Sequence, residues 1–170
     1  MKNNQLWKFT LSEYNSKIMR LSKHFTLSEI TKSNTAKRLG IENAPDKEHL
    51  KNMQVLIRDL IQPMRNALGP IRISSGYRSP ELNRAIGGSS KSQHCKGQAV
   101  DIQFFKKGEM CNKEIYDWVI KEGIEFDQMI NEFDYAWIHI SLRPDDKNRR
   151  MILEAYKDKD NDTAYKVADV

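Results

Sequence analysis

Cysteine is scarce: the 170 residues contain two, Cys95 and Cys111, too few for a disulfide framework, so free thiols in a reducing compartment are expected. Long apolar runs are also missing, and no stretch approaches the roughly 20 residues that a membrane-spanning helix requires. The N-terminus, Met1-Lys2-Asn3-Asn4-Gln5-Leu6-Trp7, lacks the apolar segment and small-residue cleavage site of a secretory signal. The expectation is a soluble product of the cytoplasm. Helix-turn-helix, zinc-finger and aromatic RNA-binding signatures are absent, and the lysines are spread along the chain. The net charge of +5 and pI near 9.1 therefore point away from nucleic acid and suit an anionic polymer.

What is present fits one domain by size, with a hydrophobic fraction of 39% and the polar material at the two ends. Residues 1–20, with Trp7, Phe9, Leu11 and Tyr14 at no clean period, read as an N-terminal arm. Thr26-Leu27-Ser28-Glu29 has the spacing of a capping box, and Ser33-Asn34 caps a second short helix that Gly40 stops. Asp46 opens the longest helix, whose apolar stripe runs through Leu50, Met53, Ile57, Leu60, Ile61, Met64 and Leu68. Met53 and Met64 read as core residues, and Pro63 predicts a kink or break before Gly69-Pro70 ends the element.

Ile71 to Ser74 alternates as a strand, Ser79-Pro80 starts a helix, and Gly87-Gly88 stops it. From Gln98 to Phe104 the residues Val100, Ile102 and Phe104 share one face, leaving Ala99, Asp101 and Gln103 on the other. Asn112 is expected to cap a helix with Ile115, Trp118 and Val119 inward, closed by Gly123. Phe126 to Glu132 then pairs with Ala136 to Leu142 around Phe133-Asp134-Tyr135. Beyond residue 143 the composition turns polar and reads as a surface strand and a mobile tail, 144–170. Asp158, Asp160 and Asp162 imitate the start of a calcium loop, but Thr163 stands where glycine is needed and Asp169 replaces the bidentate glutamate, so a solvated tail is the better reading.

The chemistry concentrates in Ser92-Gln93-His94-Cys95-Lys96-Gly97-Gln98-Ala99-Val100-Asp101-Ile102, where an imidazole and a carboxylate flank a glycine turn leading into an apolar strand. Zinc accepts both donor types, and a catalytic zinc site takes three protein ligands. The best third candidate is His139, because Ile138, Ile140 and Leu142 alternate with Trp137, His139 and Ser141. A lone histidine in such a strand is more often a hydrogen-bonded structural residue, so spacing alone leaves both readings open.

Three motifs in order resolve the choice: Ser74-Ser75-Gly76-Tyr77-Arg78-Ser79-Pro80-Glu81-Leu82-Asn83, then Ser92-Gln93-His94 with Gly97, Ala99 and Asp101, then Trp137-Ile138-His139. Together they resemble the D-Ala-D-Ala carboxypeptidase-like zinc peptidases, which include phage and bacterial cell-wall peptidases. The resemblance spans Leu21 to Leu142. It implies an α+β fold, a small antiparallel sheet backed by helices in a single domain, 21–143, with His94, Asp101 and His139 as ligands of Zn2+. It also implies peptidoglycan or its peptide precursors as partner for a monomeric enzyme, such as a phage or prophage lysin that reaches the wall through a permeabilised membrane. By the same resemblance Arg78 binds the substrate's carboxylate or polarises its carbonyl, against a structural pairing with Glu81 or a protein carbonyl, and Ser92 lies near substrate or caps its turn.

Peptide hydrolysis also needs a base to take a proton from water. Glu132, at the end of the strand pairing with that of His139, is the candidate, with Asp134 in reserve. Many relatives carry an acid three residues before the last histidine, where this chain has Ala136. That departure sustains an alternative, a non-catalytic zinc-containing binding module like the related hedgehog signalling domains. Cys95 beside His94 invites a cysteine nucleophile, but the family position is variable and carries no such role.

Overall fold

A computed structural model describes residues 19–145 and 147–168; the N-terminal arm up to residue 18, and Asp169, lie outside the described residues. The fold is α+β, as expected, but among the described residues its sheet has seven strands and is not small. Among the described residues no helix is long and apolar enough to cross a membrane.

Helix α1 (Leu27–Thr31) begins at the anticipated capping box: Thr26 accepts from Glu29 N while the Glu29 side chain returns to the Thr26 backbone. Ser33 caps α2 (Asn34–Leu39), and Gly40 ends it in the left-handed conformation at φ 67°. Asp46 caps α3 (Lys47–Leu56), which continues through a π-helical turn, Ile57–Ile61, into α4 (Gln62–Leu68). Pro63 has no N–H and crowds the preceding turn, and the chain responds with a widened turn instead of a break. Met53, Leu56, Ile57, Leu60, Ile61 and Met64 are wholly buried along this rod.

The strands are β1 (Ile71–Ser75), β2 (Ala99–Lys106), β3 (Glu109–Met110), β4 (Gln128–Glu132), β5 (Trp137–Ser141), β6 (Met151–Lys157) and β7 (Thr163–Val167). Their order is β1-β2-β5-β4-β6-β7, with β3 paired to β2, and every pairing is antiparallel except β4 with β6. Val100, Ile102, Phe104, Met129, Ile138 and Ile140 face the helical rod and complete one core. Burying each such side chain contributes about 1.5–3 kcal/mol. The alternate residues, Asp101, Ile130, Glu132 and His139, face the other way into a cleft of about 1040 Å³.

Two expectations need correction. Asn112 does not cap the helix after β3: it is the first residue of α6 (Asn112–Lys121), and Cys111 precedes it without a side-chain cap bond. Its buried amide instead accepts from Phe104 N and donates to the carbonyls of Tyr135 and Ala136, tying β2 to the β4–β5 turn. The surface strand expected after residue 143 is present as β6 (Met151–Lys157), but in place of a tail a second strand, Thr163–Val167, follows it and extends the sheet as β7. The Asp158–Asp162 stretch is their turn, with Asp158 Oδ1 accepting from the backbone of Asp160 and Asp162.

Candidate metal centre

His94 sits on a 3₁₀ turn, Gln93–Lys96, between α5 (Pro80–Ala85, capped by Ser79) and β2. Gly97 ends the turn at φ 67°, and a Cβ there would strike the His49 carbonyl and lie 2.9 Å from Met53 Cγ, so only glycine lets the turn lie against α3. Asn52 of α3 fixes the same turn by donating to the Lys96 carbonyl at 2.9 Å. Asp101 and His139 are cross-strand partners on β2 and β5, which puts their side chains on one face of the sheet.

The three side chains converge. His94 Nε2 lies 3.2 Å from His139 Nδ1 and 3.2 Å from Asp101 Oδ1, and His139 Nδ1 lies 2.9 Å from the same oxygen. His94 Nδ1 stands 2.7 Å from the Gly76 carbonyl, which can only accept, so that nitrogen carries the proton and Nε2 presents its lone pair to the cluster. Burial pushes the His94 imidazole down despite the Asp101 charge, keeping it neutral. Burial alone would push the Asp101 carboxyl up, but the two histidines outweigh it and hold the group far below the usual carboxylate range.

A lone pair and an anionic oxygen thus face one another, a donor set short of positive charge. All three ligand atoms lie within 4.8 Å of one another. The edges of 2.9–3.2 Å are close to the roughly 3.3 Å edge of a tetrahedron built on zinc bonds of about 2.0–2.1 Å. The residues present fit zinc.

Arg78 is not paired with Glu81. Its Nη2 donates to Asp101 Oδ2 at 2.8 Å, and Nε and Nη2 both reach Ser75 Oγ at 3.0 and 2.9 Å. A bulge at Ser74 lets Ser75 oppose Asp101, and the guanidinium lies along that step at the cleft wall. Ser92 lines the cleft and makes no side-chain cap bond. Glu132 is buried at 7% exposure, faces the cleft, and is pushed up chiefly by burial, with His139 opposing and Asp101 adding to the shift. Asp134 is exposed in the β4–β5 turn and does not line the cleft. Burial pushes the Cys95 thiol up, which leaves it the protonated form and a poor nucleophile.

Nothing local in the sequence pointed to Asp127. It is fully buried, accepts from Arg149 Nε and Nη2 at 2.9 and 2.6 Å, from Arg149 N at 3.1 Å, and from Gln93 Nε2 at 3.0 Å. One carboxylate thereby joins the segment leading into β6 to the neighbour of His94. An aspartate just ahead of a strand, 22 residues from its arginine, carries no local pattern that would have revealed this.

A sequence profile described as Peptidase M15 matches residues 23–141. A stretch of 44 residues is 43% identical to a zinc D-Ala-D-Ala carboxypeptidase of Streptomyces albus G, covering 25% of this chain and 17% of the length of that protein.

Proposed function

The chain belongs to the Peptidase M15 family, and from that premise we propose that it is a zinc-dependent peptidase of bacterial cell-wall stem peptides, of the D-Ala-D-Ala carboxypeptidase or L-Ala-D-Glu endopeptidase type. The observation that carries this reading is the convergence of His94, Asp101 and His139 at the floor of an open cleft, with a buried carboxylate, Glu132, on the same face. A wholly structural metal would be enclosed by protein ligands, whereas the described residues offer three donors, and these face a cleft.

In this reading His94, Asp101 and His139 hold the metal. Zinc, when bound, supplies Lewis acidity toward a peptide carbonyl and makes water acidic enough to attack near neutral pH. Glu132 takes the proton of the attacking water and passes it to the leaving amine; burial suits it to this by raising its proton affinity. Arg78 orients Asp101 through its free carboxylate oxygen, and the part of its guanidinium facing the cleft meets the carboxylate or carbonyl of the substrate. Gln93 and Ser92 border the same cleft on the turn carrying His94.

The test is incubation of the purified, zinc-loaded protein with peptidoglycan and mass spectrometry of the released peptides. Cleavage that stops with chelator and with His94→Ala or His139→Ala is expected, together with about one zinc per chain in the wild type. Release of no peptide by a zinc-replete protein would replace this reading with the zinc-containing binding module.

A further inference from the structure

The matched family segment ends at residue 141, yet the sheet does not: β6 and β7 follow it and continue the face on which the metal ligands lie. Register shows what they bring. Asp101 pairs with His139, His139 with Ile130, Ile130 with Leu153 and Leu153 with Val167, so one row of side chains crosses five strands. The neighbouring row runs Trp137, Glu132, Ala155 and Tyr165.

These rows describe a subsite beside the metal ligands. Ile130 and Leu153 give a largely polar cleft an apolar floor, with Glu132 and Tyr165 along one border. The small Ala155 separates those two, and the phenol is raised first by burial and then by the charges of Glu132 and Asp101, which places its hydroxyl within their field. Adjacent strands lie about 4.8 Å apart, so Leu153 stands about 10 Å from the His139 backbone, within reach of the first two or three residues of an extended peptide.

The wall is fixed in place. Five parallel ladder pairs join β6 to β4, from Gln128↔Met151 to Glu132↔Ala155, and Arg149 locks the preceding segment onto buried Asp127. Tyr165 meanwhile keeps 52% of its surface exposed in a cleft that has no other described use for it.

We propose that the β6–β7 hairpin is the far wall of the substrate cleft, and that Leu153 and Tyr165 with Ile130 form a subsite for an uncharged aliphatic residue of the peptide, such as an alanyl residue, on the β7 side of the scissile bond. The aliphatic floor receives the methyl group, and the phenol hydroxyl hydrogen-bonds the peptide backbone beside it. A glutamyl residue is disfavoured there, because its carboxylate would lose water against Leu153 and face Glu132. This rests on the cell-wall peptidase reading, and it is tested so that the two can fail separately.

The probe is a synthetic stem pentapeptide ending in D-Ala-D-Ala and a variant with Glu in place of the Ala preceding the final residue. Cleavage kinetics are measured in wild type, Tyr165→Ala, Tyr165→Phe and Leu153→Asn, and equilibrium binding of both peptides is measured by calorimetry in the same series built on Glu132→Gln. Tyr165→Ala is expected to raise KM and Kd about 5–10-fold while zinc content and kcat stay near wild type, with a smaller rise for Tyr165→Phe. Leu153→Asn should narrow the preference for the alanyl over the glutamyl peptide, and circular dichroism checks that each variant is folded. Binding within twofold of the parent in both Tyr165→Ala and Leu153→Asn overturns the subsite. If wild type binds the peptide through these residues without cutting it, the subsite stands and hydrolysis falls; if no peptide binds, the subsite falls.

Discussion

Arg78 grips Asp101 by the carboxylate oxygen that the histidines leave free: Nη2 lies 2.8 Å from Oδ2, while His139 and His94 face Oδ1 at 2.9 and 3.2 Å. The two-pronged contact to Ser75 Oγ keeps the guanidinium in that position.

From this arrangement Arg78→Ala is expected to weaken zinc binding about 10–100-fold, the usual consequence of removing a partner that orients a metal ligand. Lysine should restore little, since a point charge cannot reach Ser75 and Asp101 together. Chelator competition measures the affinity. Unchanged zinc affinity alongside lost hydrolysis would confine Arg78 to the substrate.

Glu132→Gln preserves shape and should retain zinc, yet turnover is expected to fall roughly 10²–10⁴-fold if the carboxylate is the base. Asp134→Asn, changing an exposed turn residue, should behave as wild type. A loss in the second variant and not the first would move the base to the turn.

Asp127 links pH to stability. Burial alone would raise its carboxyl, but the hydrogen bonds and charge of Arg149, with help from Gln93, lower it below the ordinary value. A carboxyl lowered by folding stabilises the native state above its unfolded pKa of about 3.9, and that contribution is lost as pH falls through the lower folded value. Arg149 is 46% exposed and can rehydrate, so Asp127→Asn should cost about 1–3 kcal/mol at neutral pH. In urea melts the gap between variant and wild type should close only well below pH 4, in keeping with that titration; a gap independent of pH would deny the linkage.

Gly97→Ala should destabilise the protein by about 2–3 kcal/mol, combining a side chain at φ 67° with a collision against α3. Thermal melting reads the loss, and zinc affinity should drop with it because the turn carries His94. Wild-type values for both would mean that the turn has room the packing does not suggest.

Much of the site was legible because its signals are local. Period-two alternation assigned Asp101 and His139 to the polar faces of their strands, and the Gly97 turn explained how His94 could join them. Asn112 misled because a capping residue type can also bond across the fold, as its contacts to Phe104, Tyr135 and Ala136 do. A surface strand was legible at β6, but its place inside the sheet was not, because Met151, Ile152, Leu153 and Glu154 are all half-buried, which erases alternation. Its partner β4 lies across a parallel, non-local pairing that no window of sequence displays. The link from Arg78 to Asp101 spans 23 residues and exists only once β1 and β2 are aligned.

The position of β4 between β5 and β6 bears on where this chain can be cut. Removing everything after Leu142 would preserve all three candidate ligands, yet strip β4 of a five-pair ladder and Asp127 of its arginine. The result would be a bare row of amides and carbonyls along β4, whose centre is Met129 and Ile130, a template for strand-to-strand aggregation. A fragment that keeps β4 paired on both sides therefore has to extend through β6, well past the last candidate ligand.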